Sequence, residues 1–169
     1  MAARQIFADL GYERATIRLI AEKAAINVSM VIRYFGSKEN LFATVAVFDL
    51  RLPDLEDIPR ESRGLHLVRH FLARWESGDR ELQALLKVAV THETARQAMT
   101  GIFNDQLAAN LALQGLDRPR ERACLIASQM LGLALVRYVF AFSACVNLDD
   151  DEVVERVGKT IQAYLDEWS

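Results

Sequence analysis

The chain has 169 residues, 51% of them hydrophobic and 25% charged, which suffices to bury one or two cores and is ordinary for a folded protein. With three prolines, eight glycines and long apolar-periodic stretches between short polar breaks, the pattern favours an all-helical chain over a sandwich, a barrel or an alternating α/β fold. A formal net charge of -3 argues against a wholly basic nucleic-acid binder, yet residues 1–48 are mildly basic and the remainder is acidic, as suits a protein that meets phosphate at one end only.

In chain order, Ala3, Ile6, Phe7 and Leu10 share one face of a first helix, which Gly11 is placed to end. Thr16 is a candidate cap for a second helix through Ala24, with Ile17, Ile20, Ala21 and Ala24 inward. Asn27 is a candidate cap for a third, Val28 to Tyr34. Ser37 opens a fourth toward Leu50, and Pro53 to Pro59 reads as a linker. The chain therefore divides into residues 1–48 and 49–169.

Five further helices are expected beyond the linker. Leu65, Val68, Phe71, Leu72 and Trp75 stripe the fifth, ended near Gly78; Asp79 caps a short sixth with Leu82, Leu85 and Leu86. The seventh carries Ala95, Met99, Ile102, Phe103, Leu107 and Leu111, with Gly115 past its end. Asp117 and Pro119 start the eighth, which runs to about Cys145 and is apolar almost all round. Gln129 and Arg137 near its middle argue against lipid and for a helix shared between a core and a dimer interface. Its cysteines, Cys124 and Cys145, would stand roughly 31 Å apart along one helix, beyond disulfide reach. The ninth helix opens with Asp149 and Glu152 at capping-box spacing and Leu148 and Val153 at staple spacing, and its stripe of Val153, Val157, Ile161, Leu165 and Trp168 is a second candidate interface. No apolar signal core precedes Gly11, so a reducing cytoplasm is the expected location.

Two short helices joined by a tight, capped turn are the geometry of a helix-turn-helix, whose second helix enters the major groove. The residues Phe7, Gly11 and Tyr12, then Ala15-Thr16-Ile17, Ile20-Ala21, Ala24, Asn27, and Tyr34-Phe35 with Ser37-Lys38-Glu39 and Leu41, resemble the DNA-binding domain of TetR-family regulators over residues 1 to about 48. The resemblance implies an all-α homodimer that binds a palindromic operator in double-stranded DNA and releases it to a small-molecule effector. It implies no enzyme activity and no cofactor, and no catalytic motif is visible.

The candidate DNA-binding residues are Thr16, Asn27, Val28, Ser29, Met30, Ile32, Arg33, Tyr34 and Lys38. Thr16 and Asn27 stand at helix N-termini, where amide groups favour phosphate oxygens. Lys38 and Tyr34 can reach phosphates, Ser29 and Ile32 can touch base edges, and Arg33 either forks onto guanine or pairs with phosphate. Val31 and Phe35 read as core. Ala25 stands where such motifs commonly have glycine, so a left-handed turn there costs ~1 kcal/mol.

In the C-terminal domain, Phe71, Trp75, His92, Phe103, Gln129 and Arg137 are the candidate effector-binding residues, each also readable as core or interface; Arg137 reads equally as one half of an ion pair across the dimer. His66 and His70, four apart, have the spacing of two metal ligands without a visible third, so no metal site is expected. The competing reading is a helical small-molecule-binding or interaction protein with a vestigial helix-turn-helix.

Overall fold

The computed structural model describes residues 2–45, 49–76 and 80–166, with the backbone alone at residues 80 and 81. All regular structure among them is helical. The chain order is α1 (Ala2–Arg14), α2 (Ile17–Lys23), α3 (Val28–Phe35), α4 (Lys38–Val45), a 3-10 turn (Arg60–Ser62), α5 (Arg63–Glu76), α6 (Arg80–Ala89), α7 (Glu93–Ile102), α8 (Ala108–Leu113), α9 (Pro119–Ala134), α10 (Ser143–Val146) and α11 (Asp150–Leu165). Among the described residues the nine expected helices become eleven, because the seventh splits at a π-helical turn and the eighth breaks just beyond one. Phe103–Leu107 separates α7 from α8, and Leu135–Val139 follows α9.

The chain forms two compact units, residues 1–48 with 79–100 and residues 49–78 with 101–169. The sequence suggests one boundary, at 48, whereas α6 and most of α7 group with the N-terminal helices. Successive turns of α6 bury Leu82, Leu85, Leu86 and Ala89, and α6 packs on α1 and α4.

In the first unit, Phe7, Ala15, Ile20, Ala21, Val31, Leu41 and Phe42 are buried. Phe7 and Tyr12 both pack on Phe42, at ring-centre distances of 4.9 and 4.8 Å. α1 does not stop at Gly11 but kinks there, at φ 75°, and resumes to Arg14. The sixth helix's expected cap, Asp79, and the fifth's stop, Gly78, lie outside the described residues, as does Trp168.

The second unit is built around the long contact of α5 with α11, closed by α8 and α9. Its core holds Leu55, Leu67, Val68, Leu72, Leu111, Ile126, Met130, Val153, Val154, Ile161 and Leu165. The expected linker is therefore no free tether, because Leu55 is fully buried and Leu52 and Ile58 pack against the same core. The segment is also held by Leu50, whose N–H donates to Gln106 Oε1 at 2.7 Å and whose carbonyl lies 2.9 Å from His70 Nε2. His66 Nδ1 in turn lies 2.9 Å from the Ser62 carbonyl, so both histidines have backbone partners. Among the described residues no cluster of metal-ligating side chains occurs.

Gly115 ends α8 as expected, at φ 71°, with Gly115 N–H to Ala112 and Leu116 N–H to Leu111. Residues 119–139 are long and apolar enough to cross a membrane by length and composition. Ala123, Ile126, Met130 and Ala134 of this stretch are nevertheless buried in the protein, and Arg122 and Arg137 within it are buried on polar partners. The expected single helix to Cys145 breaks at Phe140–Phe142, with Ala141 at φ 52°. Arg137 accounts for the fold-back. Its guanidinium pairs with Asp150 and reaches the Leu148 carbonyl at 3.3 Å, which a straight helix would carry out of range. Both cysteines are free thiols, on different helices.

α11 is capped by Asp149, whose carboxylate accepts the Asp151 N–H at 2.9 Å. No reciprocal capping-box bond forms, because Glu152 turns to Arg156 at 3.0 Å. Of the stripe expected to form a second interface, Val153, Ile161 and Leu165 are buried in the unit's own core and Val157 packs against it, because this face of α11 is covered by its own unit.

Candidate nucleic-acid interface

Thr16 sits at the N-cap of α2 and its hydroxyl accepts the Leu19 N–H at 3.2 Å. After Ala24 the chain reverses through Ala25, at φ 53°, with Ala25 N–H on Glu22 and Ile26 N–H on Ala21, each at 3.0 Å. This pair of bonds is the Schellman closure that glycine usually makes. It is made here by a residue whose Cβ opposes the left-handed conformation. Ala25→Gly is therefore expected to stabilise the protein by about 1 kcal/mol and raise its melting temperature by roughly 2–4 °C, measurable by calorimetry.

Asn27 occupies the N-cap of α3, as expected, but its side chain makes no capping bond. The reason is local: the Met30 N–H, which a cap would take, already donates to the Asn27 carbonyl at 3.0 Å. The exposed Asn27 amide is thus not spent on its own helix.

The side chains of α3 separate by face. Val31 is buried against the unit and Phe35 is half-buried, whereas Ser29, Met30, Ile32, Arg33 and Tyr34 are exposed and Val28 is partly so. Ile32 is 49% and Tyr34 73% exposed, and Leu19 and Ile26 of the same unit are exposed as well. Arg33 and Tyr34 make no hydrogen bond or ion pair among the described residues. An apolar face next to an unengaged guanidinium is costly to leave in water and is the composition that meets base edges and methyl groups.

α4 begins with Ser37, whose hydroxyl accepts the Asn40 N–H at 3.1 Å. That places Lys38 in the first turn, where its ammonium stands 4.3 Å from the centre of the Tyr12 ring and donates to the Glu13 carbonyl at 3.3 Å. Tyr12 in turn donates its hydroxyl to Glu39 at 2.9 Å. A hydrogen bond with its own backbone amide, helped by the Tyr12 and Ser37 hydroxyls and the nearby His92, holds the Glu39 carboxyl below its ordinary range despite partial burial. Burial first, then Glu39, push the Tyr12 phenol far up, so it stays a donor.

The candidate effector residues do not gather in one place. His92 lies in the first unit, 4.0 Å from Glu39. In the second unit, Trp75 is buried between Phe71 and Tyr138, each with its ring centre 5.4 Å away. Arg137 contacts the same group, and its pairing is within the chain, to Asp150 and to Glu76 at 3.5 Å. Tyr138 donates to Glu76 at 3.2 Å; burial, then the Glu76 charge, raise its phenol. Gln129 stands apart, donating to the Tyr164 hydroxyl at 3.4 Å, and Phe103 is half-buried in the π turn. Two clefts of the second unit are lined by other residues, one of about 450 Å³ beside Arg60, Arg63 and Gln162 and one of about 390 Å³ beside Arg51, Gln106 and Asn110. Sequence reasoning missed Glu76, Tyr138 and Asp150, whose signal was only that buried Arg137 needs an acid.

Residues 1–45 match the family described as bacterial regulatory proteins, tetR family, and residues 61–165 match the tetracyclin repressor-like C-terminal domain. Two curated relatives are HTH-type transcriptional repressors AcnR. The one from Corynebacterium glutamicum is 43% identical over 44 residues, 26% of this chain and 23% of that protein. The one from Corynebacterium diphtheriae is 32% identical over 77 residues, 46% of this chain and 40% of its own, so each match spans less than half of the repressor. Among solved structures, a TetR-family regulator from Streptomyces coelicolor A3 is 30% identical with a TM-score of 0.56, covering 97% of this chain and 90% of that one. The fatty acid degradation regulator FadR from Bacillus halodurans shares the fold, with a TM-score of 0.53 at 20% identity over 95% and 90% of the two chains. A helix-turn-helix unit that matches the family over residues 1–45, followed by a helical domain that matches the C-terminal family over 61–165, makes this chain a member of the TetR family of regulators.

Proposed function

We propose that the protein is a ligand-responsive repressor that binds a palindromic operator as a homodimer, in the cytoplasm, and leaves it when a small molecule occupies the second unit. The observation that carries this reading is the outward face of α3, where Ser29, Met30, Ile32, Arg33 and Tyr34 are all exposed while Val31 is core. In this reading Lys38 and Tyr34 clamp phosphates, the backbone N–H groups near Thr16 and Asn27 donate to phosphate oxygens, and Arg33 reads guanine beside the apolar Val28, Met30 and Ile32. α9 and the turn that follows it supply the dimer contact, because Leu125 is exposed and Leu131, Leu135 and Val136 are only half-buried in one chain, whereas the expected second contact from α11 gives way to the unit's own core. Phe71, Trp75, Phe103, Gln129 and Arg137 of the second unit remain the proposed effector residues, joined by Glu76 and Tyr138, whereas His92 lies in the first unit.

Two substitutions test the DNA contacts. Lys38→Ala is expected to weaken operator and random DNA alike and to flatten the slope of log affinity against log salt by about 2 for a dimer, one phosphate per chain. Arg33→Ala is expected to cost about 1–3 kcal/mol per half-site and to relax preference at one symmetric base pair. Binding titrations across salt and sequence read both. If neither substitution alters DNA binding, the helix-turn-helix is not the functional surface.

A further inference from the structure

His92 belongs to the same compact unit as α2, α3 and α4, and its surroundings there are specific. It closes the turn after α6, with its N–H on the Val88 carbonyl at 2.9 Å, and it opens α7, accepting the Arg96 N–H at 3.0 Å. Nδ1 lies 2.8 Å from the Thr91 hydroxyl, and Nε2 lies 4.0 Å from Glu39 Oε2. The other oxygen of that carboxylate accepts the Tyr12 hydroxyl at 2.9 Å, and the Tyr12 ring carries the Lys38 ammonium at 4.3 Å. Four side chains thus run from the α6–α7 turn to the first turn of α4.

We propose that His92 is a positioning residue for DNA binding, acting through Glu39 and Tyr12 on Lys38, and that it makes DNA retention depend on a proton. The inference rests on the reading of Lys38 as a phosphate contact. Glu39 is ionised, and its two oxygens have separate partners. When the imidazole is charged, the carboxylate is held from both sides and its charge is compensated. When the imidazole is neutral, the uncompensated carboxylate beside Lys38 competes with phosphate for the ammonium. Among the other charged groups on the packed elements, α1 carries Arg4, Glu13, Asp9, which pairs with Lys23 at 3.8 Å, and Arg14, which donates to the Leu10 carbonyl at 3.2 Å, and the stretch around His92 carries Arg80, Glu81, Lys87, Glu93 and Arg96. Glu93 is engaged with Arg96 at 2.8 Å and Gln97 at 3.0 Å, which leaves Glu39 as the carboxylate facing the ring. His66 and His70 lie in the other unit.

The test uses the full chain and a labelled random-sequence duplex, since a phosphate contact needs no operator. Between about pH 5.5 and about pH 8, where histidine changes charge, affinity is expected to fall about three-fold per chain, the size of a half-exposed ion pair. His92→Gln should bind at the weaker level with that pH dependence removed, and His92→Lys should hold the tighter level at both pH values. Glu39→Gln should also remove the dependence, which keeps the comparison open should a His92 variant unfold early. A His92→Gln profile like that of the unaltered protein, or a His92→Lys that weakens at high pH, would overturn the inference. Unaltered protein that retains the duplex with a flat profile overturns the inference alone. Protein that retains no duplex at either pH overturns the DNA-binding reading beneath it.

Discussion

Gly64→Ala is expected to lower the melting temperature by roughly 10 °C, the consequence of about 3 kcal/mol of lost stability in a chain of this length. The reason is how closely α5 and α11 approach. A methyl group at Gly64 would stand 2.4 Å from the Gly158 carbonyl oxygen and 2.5 Å from the Gln162 backbone nitrogen, and one at Gly158 would stand 2.9 Å from the Leu65 Cα. The obstructing atoms at Gly64 are all backbone, so no rotamer change relieves the clash and the helices must separate. Separation loosens Leu67, Val68 and Leu72 on one side and Val154, Ile161 and Leu165 on the other. It also breaks the bond from Gly64 N–H to Gln162 Oε1, at 2.8 Å, which satisfies an amide at the start of α5. Overpacking ordinarily costs about 1–3 kcal/mol, and two rigid backbones put this site at the upper end. Gly101→Ala is the control, because its new methyl meets only Asp105 Oδ2 at an ordinary 3.7 Å. Thermal melts in which both variants unfold alike would show that helix propensity, not the crossing, governs the effect.

What was legible in the sequence was mostly what a side chain does to its own backbone. Thr16, Ser37 and Asp149 cap, and Gly115 ends a helix, because each effect spans only two to five residues. The exposed face of α3 was legible for a similar reason, since a 3.6-residue period sorts Val31 from Ile32 and Arg33 without any tertiary knowledge. Asn27 shows the limit of the rule: the right residue stands at the right place, yet the backbone takes the donor first.

Long-range features were not legible. Leu55 looks like linker between two prolines, and only the fold shows it fully buried. His92 sits on a seemingly C-terminal helix and groups with Glu39, fifty-three positions earlier, because α6 packs on α1 and α4. Arg137 demanded an acid from sequence reasoning alone, but whether that acid came from the same chain depended on a reversal at Ala141 that no glycine announces. Gly64 and Gly158 lie ninety-four residues apart, and neither marks a turn.

Arg122 was also invisible in sequence, one arginine among several at the start of α9, and it is 1% exposed. Its Nε donates to the Asp117 carbonyl at 2.7 Å, one terminal nitrogen donates to the Tyr164 carbonyl at 2.7 Å and to the Asp166 carbonyl, and the other pairs with the Asp117 carboxylate. The guanidinium thereby joins the turn before α9 to the end of α11, where carbonyls lack helical partners and carry the negative end of the helix dipole. Arg122→Ala is expected to cost about 3 kcal/mol, near the lower bound for breaking a buried charged pair, because Asp117 is 63% exposed and water takes over its carboxylate. The melting temperature should fall by about 6–12 °C. Arg122→Met, which keeps most of the packing volume but no donor, should fall nearly as far. Arg122→Lys should recover less than half, since an ammonium is a point charge and cannot match the planar fork that spans three carbonyls. Asp117→Asn should cost under about 1 kcal/mol, as an exposed partner does. Were Asp117→Asn to destabilise as much as Arg122→Ala, the ion pair would be the essential contact and the capping of α11 incidental. With the expected ranking, amide exchange in Arg122→Ala should quicken first in the last turn of α11.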